Sequence, residues 1–330
     1  MKKTVSVILA AAFLAVLCTA SFADKTVTLR FNNLGVATDA HTKGMELFAK
    51  KAAEYSNGSI KVRTYHSGSL YTQEGETEAI LNGELDLCYI SWQTVATKAP
   101  DLSMFTAGYF FSSYDHMTKA LNGDFARAEI YPKVTKALGV VPLGAFYLGS
   151  RQINTRSKPV YTPEDLKGVL LRMPGLPTWL FLGRALGANP TPMAFGEVYT
   201  GLSTGAIDGQ DNPMPTVKNA KFYEVAKYLS LTYHVIDSML ICAAGDTWAK
   251  LSPAQREALQ KAADDARAFI DETNLKAEAE LTEFFKANGV TVVTPDIKAF
   301  KDKVSAAYLA DKEMSGAWDM DLYKKVQNIK

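Results

Sequence analysis

The chain has 330 residues, 47% of them hydrophobic and 22% charged, with 36 Lys and Arg against 35 Asp and Glu. A formal charge of +1 excludes an electrostatic nucleic-acid binder, whose phosphate contacts need a basic excess. The apolar fraction excludes a disordered charged tail, and the length admits two domains or one large one.

The first residues read as an address. Lys2 and Lys3 precede the uncharged run Val5 to Leu17, and Ser21-Phe22-Ala23 follows as a small-residue cleavage pattern. This is the layout of a secretory signal peptide over 1–23, too short for a span of ~20 apolar residues. Lipid attachment at Cys18 is disfavoured by the bulky Leu17 before it. Removing 1–23 takes two lysines, which brings the mature charge to −1, and leaves Cys88 and Cys242. An oxidising compartment permits a disulfide, but both sit in apolar strand-like runs where buried free thiols are expected. The mature protein is expected to be soluble and periplasmic.

Val27–Phe31 alternates as a half-buried strand, and the loop after it feeds a helix carrying Met45, Leu47, Phe48, Ala52 and Ala53. Ile60–Tyr65 is a second strand. A helix follows through Ile80-Leu81, stopped at Asn82-Gly83, and Leu85–Ile90 is a near-continuous apolar strand. Strand–helix–strand–helix–strand is the rhythm of a parallel sheet with helices on both faces. Val140–Tyr147, Val169–Met173, Ala206–Asp208 and Met239–Ala243 are further strand-like runs. Thr162-Pro163-Glu164-Asp165 is a helix start, with a capping Thr, Pro in the first turn and acids after it. Ser252-Pro253-Ala254-Gln255 opens a charged amphipathic stretch running to about Asn288-Gly289. Leu81–Asp86 and Ser203–Asp208 echo one another as helix–Gly–strand–Asp, which suggests two similar α/β halves with a crevice between them.

The motifs of hydrolases, redox centres and nucleotide sites are absent from the chain, so no cofactor and no metal is expected. His41, His66, His116 and His234 are scattered without metal-ligand spacing and read as loop or surface residues; His41, at the start of a helix, is the one of interest. Two arginines stand out. Arg172 ends the apolar run Val169–Leu171 and enters a Pro/Gly turn, and Arg151 follows the strand through Phe146-Tyr147. An arginine leaving a buried strand is costly unless it meets an anion, and its planar fork matches a carboxylate. That anion is either a ligand carboxylate or an internal Asp208 or Asp211. Gly209-Gln210-Asp211-Asn212-Pro213 is read as an amide-rich segment just past a strand. Trp179, beside Leu180, Phe181 and Leu182, reads as a core residue or an aromatic face of the site.

The segments Tyr161–Pro174, Leu186–Phe195, Glu197–Leu202, Gly205–Pro213 and Lys221–Val225 together resemble the solute-binding subunit of tripartite ATP-independent periplasmic (TRAP) transporters, the DctP family. The resemblance spans nearly the whole mature chain. It implies two α/β lobes closing over a ligand and bridged by a long helix, with lobe 1 from 24–149 plus about 238–275. Lobe 2 would take 150–237 plus about 276–330. It further implies that Arg172 grips a ligand carboxylate, that Arg151 supports it, and that Asn212 and Phe195 line the site. Asn33, Gln73, Glu74, Ser91, Trp92 and Gln93 carry over by position from the first lobe. The implied partners are a small organic acid and the integral membrane subunits of the transporter. A hexuronate or similar sugar acid is the first expectation, an aromatic acid the second and a C4-dicarboxylate the third. A secreted α/β enzyme acting on a small carboxylic acid is the rival reading.

Overall fold

The computed structural model describes residues 25–329, so the expected signal peptide lies outside the described residues. Nine strands form one sheet: β1 (Val27–Asn32), β2 (Ile60–Tyr65), β3 (Leu87–Ser91), β4 (Val140–Thr155), β5 (Leu170–Met173), β6 (Asn189–Pro192), β7 (Gly209–Pro213), β8 (Tyr228–Ala244) and β9 (Thr291–Val293). Their order is β2-β1-β3-β8-β4-β7-β5-β6, with β9 beside β8. The outer parts are parallel, as the strand–helix rhythm predicts: β1 with β2 and β3, β5 with β6 and β7. The middle is not. β8 runs antiparallel to β3, and β4 runs antiparallel to both β8 and β7.

β4 and β8, of 16 and 17 residues, pass through both α/β halves and join them. Sequence patterning reveals only their apolar stretches. Their other halves carry Arg151, Gln152, Asn154, Thr232, His234 and Asp237, which are buried all the same. Hydrogen bonding makes that burial tolerable. Two other expectations change. Ala206–Asp208 is a lead-in rather than a strand, with the Asp208 carboxylate accepting from the Leu170 amide at 2.9 Å. The strand is Gly209–Pro213 itself. Thr162 does cap, but only the 3-10 turn Pro163–Leu166, before Gly168 turns the chain at φ +79°.

The long helix, Pro253–Ala287, has 35 residues and opens on a capping box between Ser252 and Gln255. It packs on the helix Ala40–Tyr55 near one end and on the helix Met214–Asn219 and β9 near the other. Between them, residues 271, 274 and 278 share one helix face and grip a short piece of β4. Asp271 accepts from the Tyr147 amide at 2.6 Å, and Asn274 donates to the Tyr147 carbonyl at 2.8 Å. Glu278 accepts from the Ser150 amide and the Tyr147 hydroxyl, both at 2.6 Å. Here the β4–β8 register slips, and Gly149 sits at φ +132°.

The last helix, Met320–Gln327, returns to the first half. The His116 ring meets the Val326 carbonyl at 2.9 Å, Lys133 bridges Asp101 and Asp319 at 2.9 Å each, and Gln327 donates to the Phe110 carbonyl at 3.1 Å. This corrects the expectation that everything from 276 to 330 belongs with the second half. Cys88 and Cys242 are cross-strand partners on β3 and β8, buried and free as expected, with burial pushing both thiols upward. No helix among the described residues is long and apolar enough to cross a membrane.

A Cβ at Gly149 would lie 2.5 Å from the Pro213 Cβ and 3.0 Å from Glu278 Oε1, at a φ that L side chains avoid. Gly149→Ala is therefore expected to cost about 2–4 kcal/mol, read from the denaturant midpoint, and an unchanged midpoint would contradict this reading.

Candidate functional site

A cavity of about 370 Å³ opens where the two halves meet. Its far wall comes from β4, β5, β7 and β8 with the turn after β5. Its near wall comes from the loop after β1, the helix Gln73–Leu81 and the end of β3. Hydrogen bonds tie the two halves together here. The Phe195 amide donates to the Gln73 side chain at 2.9 Å, and the Asn219 amide group donates to Asp39 at 2.9 Å.

Both arginines line the cavity, in different states. Arg151 is 3% exposed and belongs to an internal ion-pair network. Its Nε donates to Asp211 at 2.7 Å, its Nη1 to Asp237 at 2.7 Å, and its Nη2 to the Asp211 carbonyl and, at 3.3 Å, to Asn212. The Trp179 ring covers the guanidinium at 4.3 Å, so this tryptophan is at once buried core and cation–π partner. Burial works against the Arg151 charge, but Asp211 and Asp237 outweigh it and raise its pKa. Asp211 is likewise held well below the usual carboxylate range, since Arg151 and His234 overcome its burial. Asp237 is shifted upward, because burial there exceeds the pull of Arg151.

Arg172 is only 1% exposed and has far fewer partners. Its Nε donates to the Met193 carbonyl at 2.9 Å, while Nη2 has no hydrogen-bond partner in the protein. Burial pulls its pKa down and nearby Arg151 adds to this, with Asp211 opposing. The internal Arg–Asp bridge that sequence left open therefore exists, but it belongs to Arg151. Neither Asp208 nor Asp211 makes an ion pair with Arg172.

Asn212 lies on the inner face of β7, with its amide donating to Gln210 at 2.6 Å. Phe195 is half-buried against Phe222, ring centroids 5.8 Å apart. From the first half, Asn33, His41, Gln73, Glu74 and Ser91 line the cavity. The Asn33 side chain is already engaged by Thr42 at 2.7 Å and the Gly35 amide at 2.9 Å. His41 is buried, which lowers its pKa against the opposing pull of Asp39 3.8 Å away.

Trp92 and Gln93 do not line the cavity. Ser91 caps the short helix Trp92–Ala96, accepting from the Thr94 amide at 3.2 Å, and the turn sends Ser91 and Thr94 to the cavity. Trp92 goes into the core, where its indole donates to Ser238 at 3.0 Å and its ring lies 4.6 Å from Phe105. Gln93 is buried with it. Three of the four histidines, His41, His116 and His234, are buried rather than superficial. His234 bonds Asp211 at 3.1 Å and thereby supports Arg151.

Sequence reasoning missed Asp39, Glu76, Leu148, Asp237 and Met239, which also line the cavity. Asp39, at the N-cap position of the helix Ala40–Tyr55, carried a usable signal. Asp237, set between apolar residues of a long strand, carried a weak one. Among the described residues no group of three or more His, Cys, Asp and Glu side chains is placed to hold a metal ion.

The chain matches the family model DctP, bacterial extracellular solute-binding protein, family 7, over residues 31–313. It is 30% identical to the sialic acid-binding periplasmic protein SiaP of Vibrio cholerae, across 88% of this chain and 90% of that protein. It is similar to the crystal structure of a TRAP periplasmic solute-binding protein of Roseobacter denitrificans with bound 3-deoxy-D-manno-oct-2-ulosonic acid. The TM-score is 0.86 and the identity 39%, covering 92% of this chain and 99% of that one. A Pseudomonas putida TRAP solute-binding protein with bound D-glucuronate superimposes with TM-score 0.85 at 30% identity, covering 92% and 98%. A two-lobed α/β architecture with its cavity between the halves, and a family match over most of its length, identify this chain as a member of the DctP family, the bacterial extracellular solute-binding proteins of family 7.

Proposed function

We propose that the protein captures a polyhydroxylated monocarboxylate, a sugar acid, and delivers it to the membrane subunits of a TRAP transporter. The observation that carries this is Arg172. Among the described lining residues it is the one arginine not committed to a protein carboxylate, and its Nη2 is buried without a partner. A buried cation of this kind is stabilised by a bidentate carboxylate from the ligand.

The remaining lining favours one carboxylate over two. Asp39, Glu74, Glu76, Glu78 and Asp237 surround the cavity, so a second ligand anion would meet carboxyl groups with no free cation beside it. Hydroxyl groups suit such walls, since carboxylates and amides accept and donate to them. This places C4-dicarboxylates last, as the sequence reading did. It also weakens the aromatic-acid reading, because Trp179 covers Arg151 and Trp92 lies in the core. Leu148, Tyr89, Phe195 and Met239 offer the apolar faces that a sugar ring or chain requires. The acids bound by the two structural relatives, 3-deoxy-D-manno-oct-2-ulosonic acid and D-glucuronate, each carry one carboxylate on a hydroxylated body.

In this reading export after cleavage at Ala23 brings the mature chain to the periplasm. Its lobes are 24–149 with about 238–275, and 150–237 with about 276–310, and the hinge lies at the register slips around Gly149. Contacts made only in the closed form shift the lobe equilibrium toward closure.

A thermal-shift screen over organic acids, followed by product analysis of any hit, separates binding from the rival enzyme reading. Stabilisation without turnover is expected from sugar acids such as D-glucuronate or 3-deoxy-D-manno-oct-2-ulosonic acid, and formation of product would overturn it. Arg172→Ala should lose about 2–5 kcal/mol of affinity by calorimetry, and an affinity within about threefold of wild type would sink the carboxylate role. Arg151→Met acts differently. It strands Asp211 and Asp237, so about 3–5 kcal/mol of folding stability should go with it, and a melting curve unchanged from wild type would count against the network.

A further inference from the structure

The helix Gln73–Leu81 turns one carboxyl group inward. Glu76 is 5% exposed and lines the cavity as part of the near wall. Its one hydrogen bond within the protein comes from the side-chain amide of Asn32, which holds Oε2. Asn32 is itself fixed, donating to the Tyr71 carbonyl at 3.3 Å and accepting from the Tyr71 amide at 3.3 Å. Among the described residues no Lys, Arg or His forms an ion pair with Glu76. A carboxyl group so placed is a poor anion. Removing it from water disfavours the charged form, and a single neutral amide does not restore the balance.

We propose that Glu76 is a specificity-determining residue of the cavity, which in its protonated form donates a hydrogen bond to an oxygen of the bound sugar acid that carries no hydrogen, such as the ring oxygen, and which, once ionised, repels it. This rests on the sugar-acid reading above. The atoms support the role. Oε2 is taken by Asn32, while the other carboxyl oxygen of this cavity-lining residue makes no hydrogen bond within the protein. A neutral acid offers one O–H donor there, which a carboxylate does not. A ligand oxygen bearing a lone pair satisfies it, whereas a ligand ammonium does not. The site then reads its ligand from two sides: Arg172 requires the anion, and Glu76 requires a neutral acceptor.

Burial pushes the Glu76 carboxyl up to about 8, with the Asn32 bond opposing. Its titratable surroundings do not blur this. Cys88 and Tyr89 from β3 are raised by their own burial and stay neutral in this range, and so does Cys242 opposite Cys88. Tyr71 packs beside it through Asn32. The other charged or titratable groups around the cavity are Asp39 and His41 on the first helix, Glu74 and Glu78 on its own helix, and Arg151, Arg172 and Asp237 on the far wall. Comparison with Glu76→Gln, which leaves all of these in place, isolates Glu76.

The sign follows from a carboxyl whose folded pKa lies above its unfolded value. Its stabilising contribution is complete below about 4.5 and is lost as pH rises toward about 8. Without any ligand, the melting temperature of wild type should therefore fall by several degrees relative to Glu76→Gln between pH 5 and pH 8, then run parallel. Parallel curves throughout that range would overturn the protonated state. With D-glucuronate or 3-deoxy-D-manno-oct-2-ulosonic acid as probe, whichever stabilises the protein, calorimetry at pH 7 and pH 9 reads the second half. The ratio of the wild-type Kd to the Glu76→Gln Kd should rise about tenfold, as the neutral fraction falls through a pKa of about 8. A ratio constant within about twofold defeats the donor role while leaving the sugar-acid reading intact. If no acid in the panel binds, the sugar-acid reading falls and the donor role falls with it.

Discussion

Everything at the cavity depends on Arg151 being neutralised from within. The guanidinium sits between Asp211 on β7 and Asp237 on β8, both at 2.7 Å, with its own backbone on β4. One side chain thus cross-links three adjacent strands at the place where the sheet passes from one half of the molecule to the other. Trp179 closes over it, and His234 holds Asp211 from behind. Buried pairs of this sort contribute little net stability when complete, yet removing a partner is costly, so their effect is to impose one arrangement. Here that arrangement leaves Arg172 close to Asp211 without an ion pair, as a buried cation facing the cavity.

The same arithmetic shapes what the cavity accepts. Two arginines face a set of carboxyl groups, and only one arginine has charge to spare. A positive potential spread over the whole surface would attract anions indiscriminately and would be weakened by salt. A single desolvated guanidinium in a chain whose formal charge is only +1 does neither. In the proposed reading it recognises one carboxylate at short range, where the low dielectric strengthens each hydrogen bond. The acidic and amide groups on the opposite wall fit the hydroxyl-rich ligand body proposed above.

The mechanical frame is equally economical. β4 and β8 are shared by both halves, and the long helix lies across both. Its Asp271, Asn274 and Glu278 grip β4 between Tyr147 and Ser150, at the slip in register where Gly149 adopts a conformation reserved for glycine. Backbone groups freed from the sheet ladder by the slip are therefore satisfied by helix side chains rather than left unpaired. The last helix returns to the first half, so both ends of the described chain belong to it.

Sequence by itself determined the kind and order of most elements, the signal-peptide pattern, the long capped helix and the two arginines beside apolar strands. Each of these rests on local physics: hydrophobic period, capping chemistry, and the cost of an arginine in an apolar run. Asn212 and Phe195 were legible through the motifs of the resemblance, which survive as strings, and Gln73 and Ser91 only through their position in it. Tertiary structure alone decided which arginine is paired, since Asp211 and Asp237 meet Arg151 only after three strands come together. It alone sent Trp92 to the core and Ser91 to the cavity, through a one-turn cap that alternation does not register. It alone enclosed Glu76, which reads in sequence as one more acid on a polar helix. It also revealed the polar halves of β4 and β8 as strands. Polarity marks a residue as exposed until its hydrogen-bond partners are known, and those partners lie far along the chain.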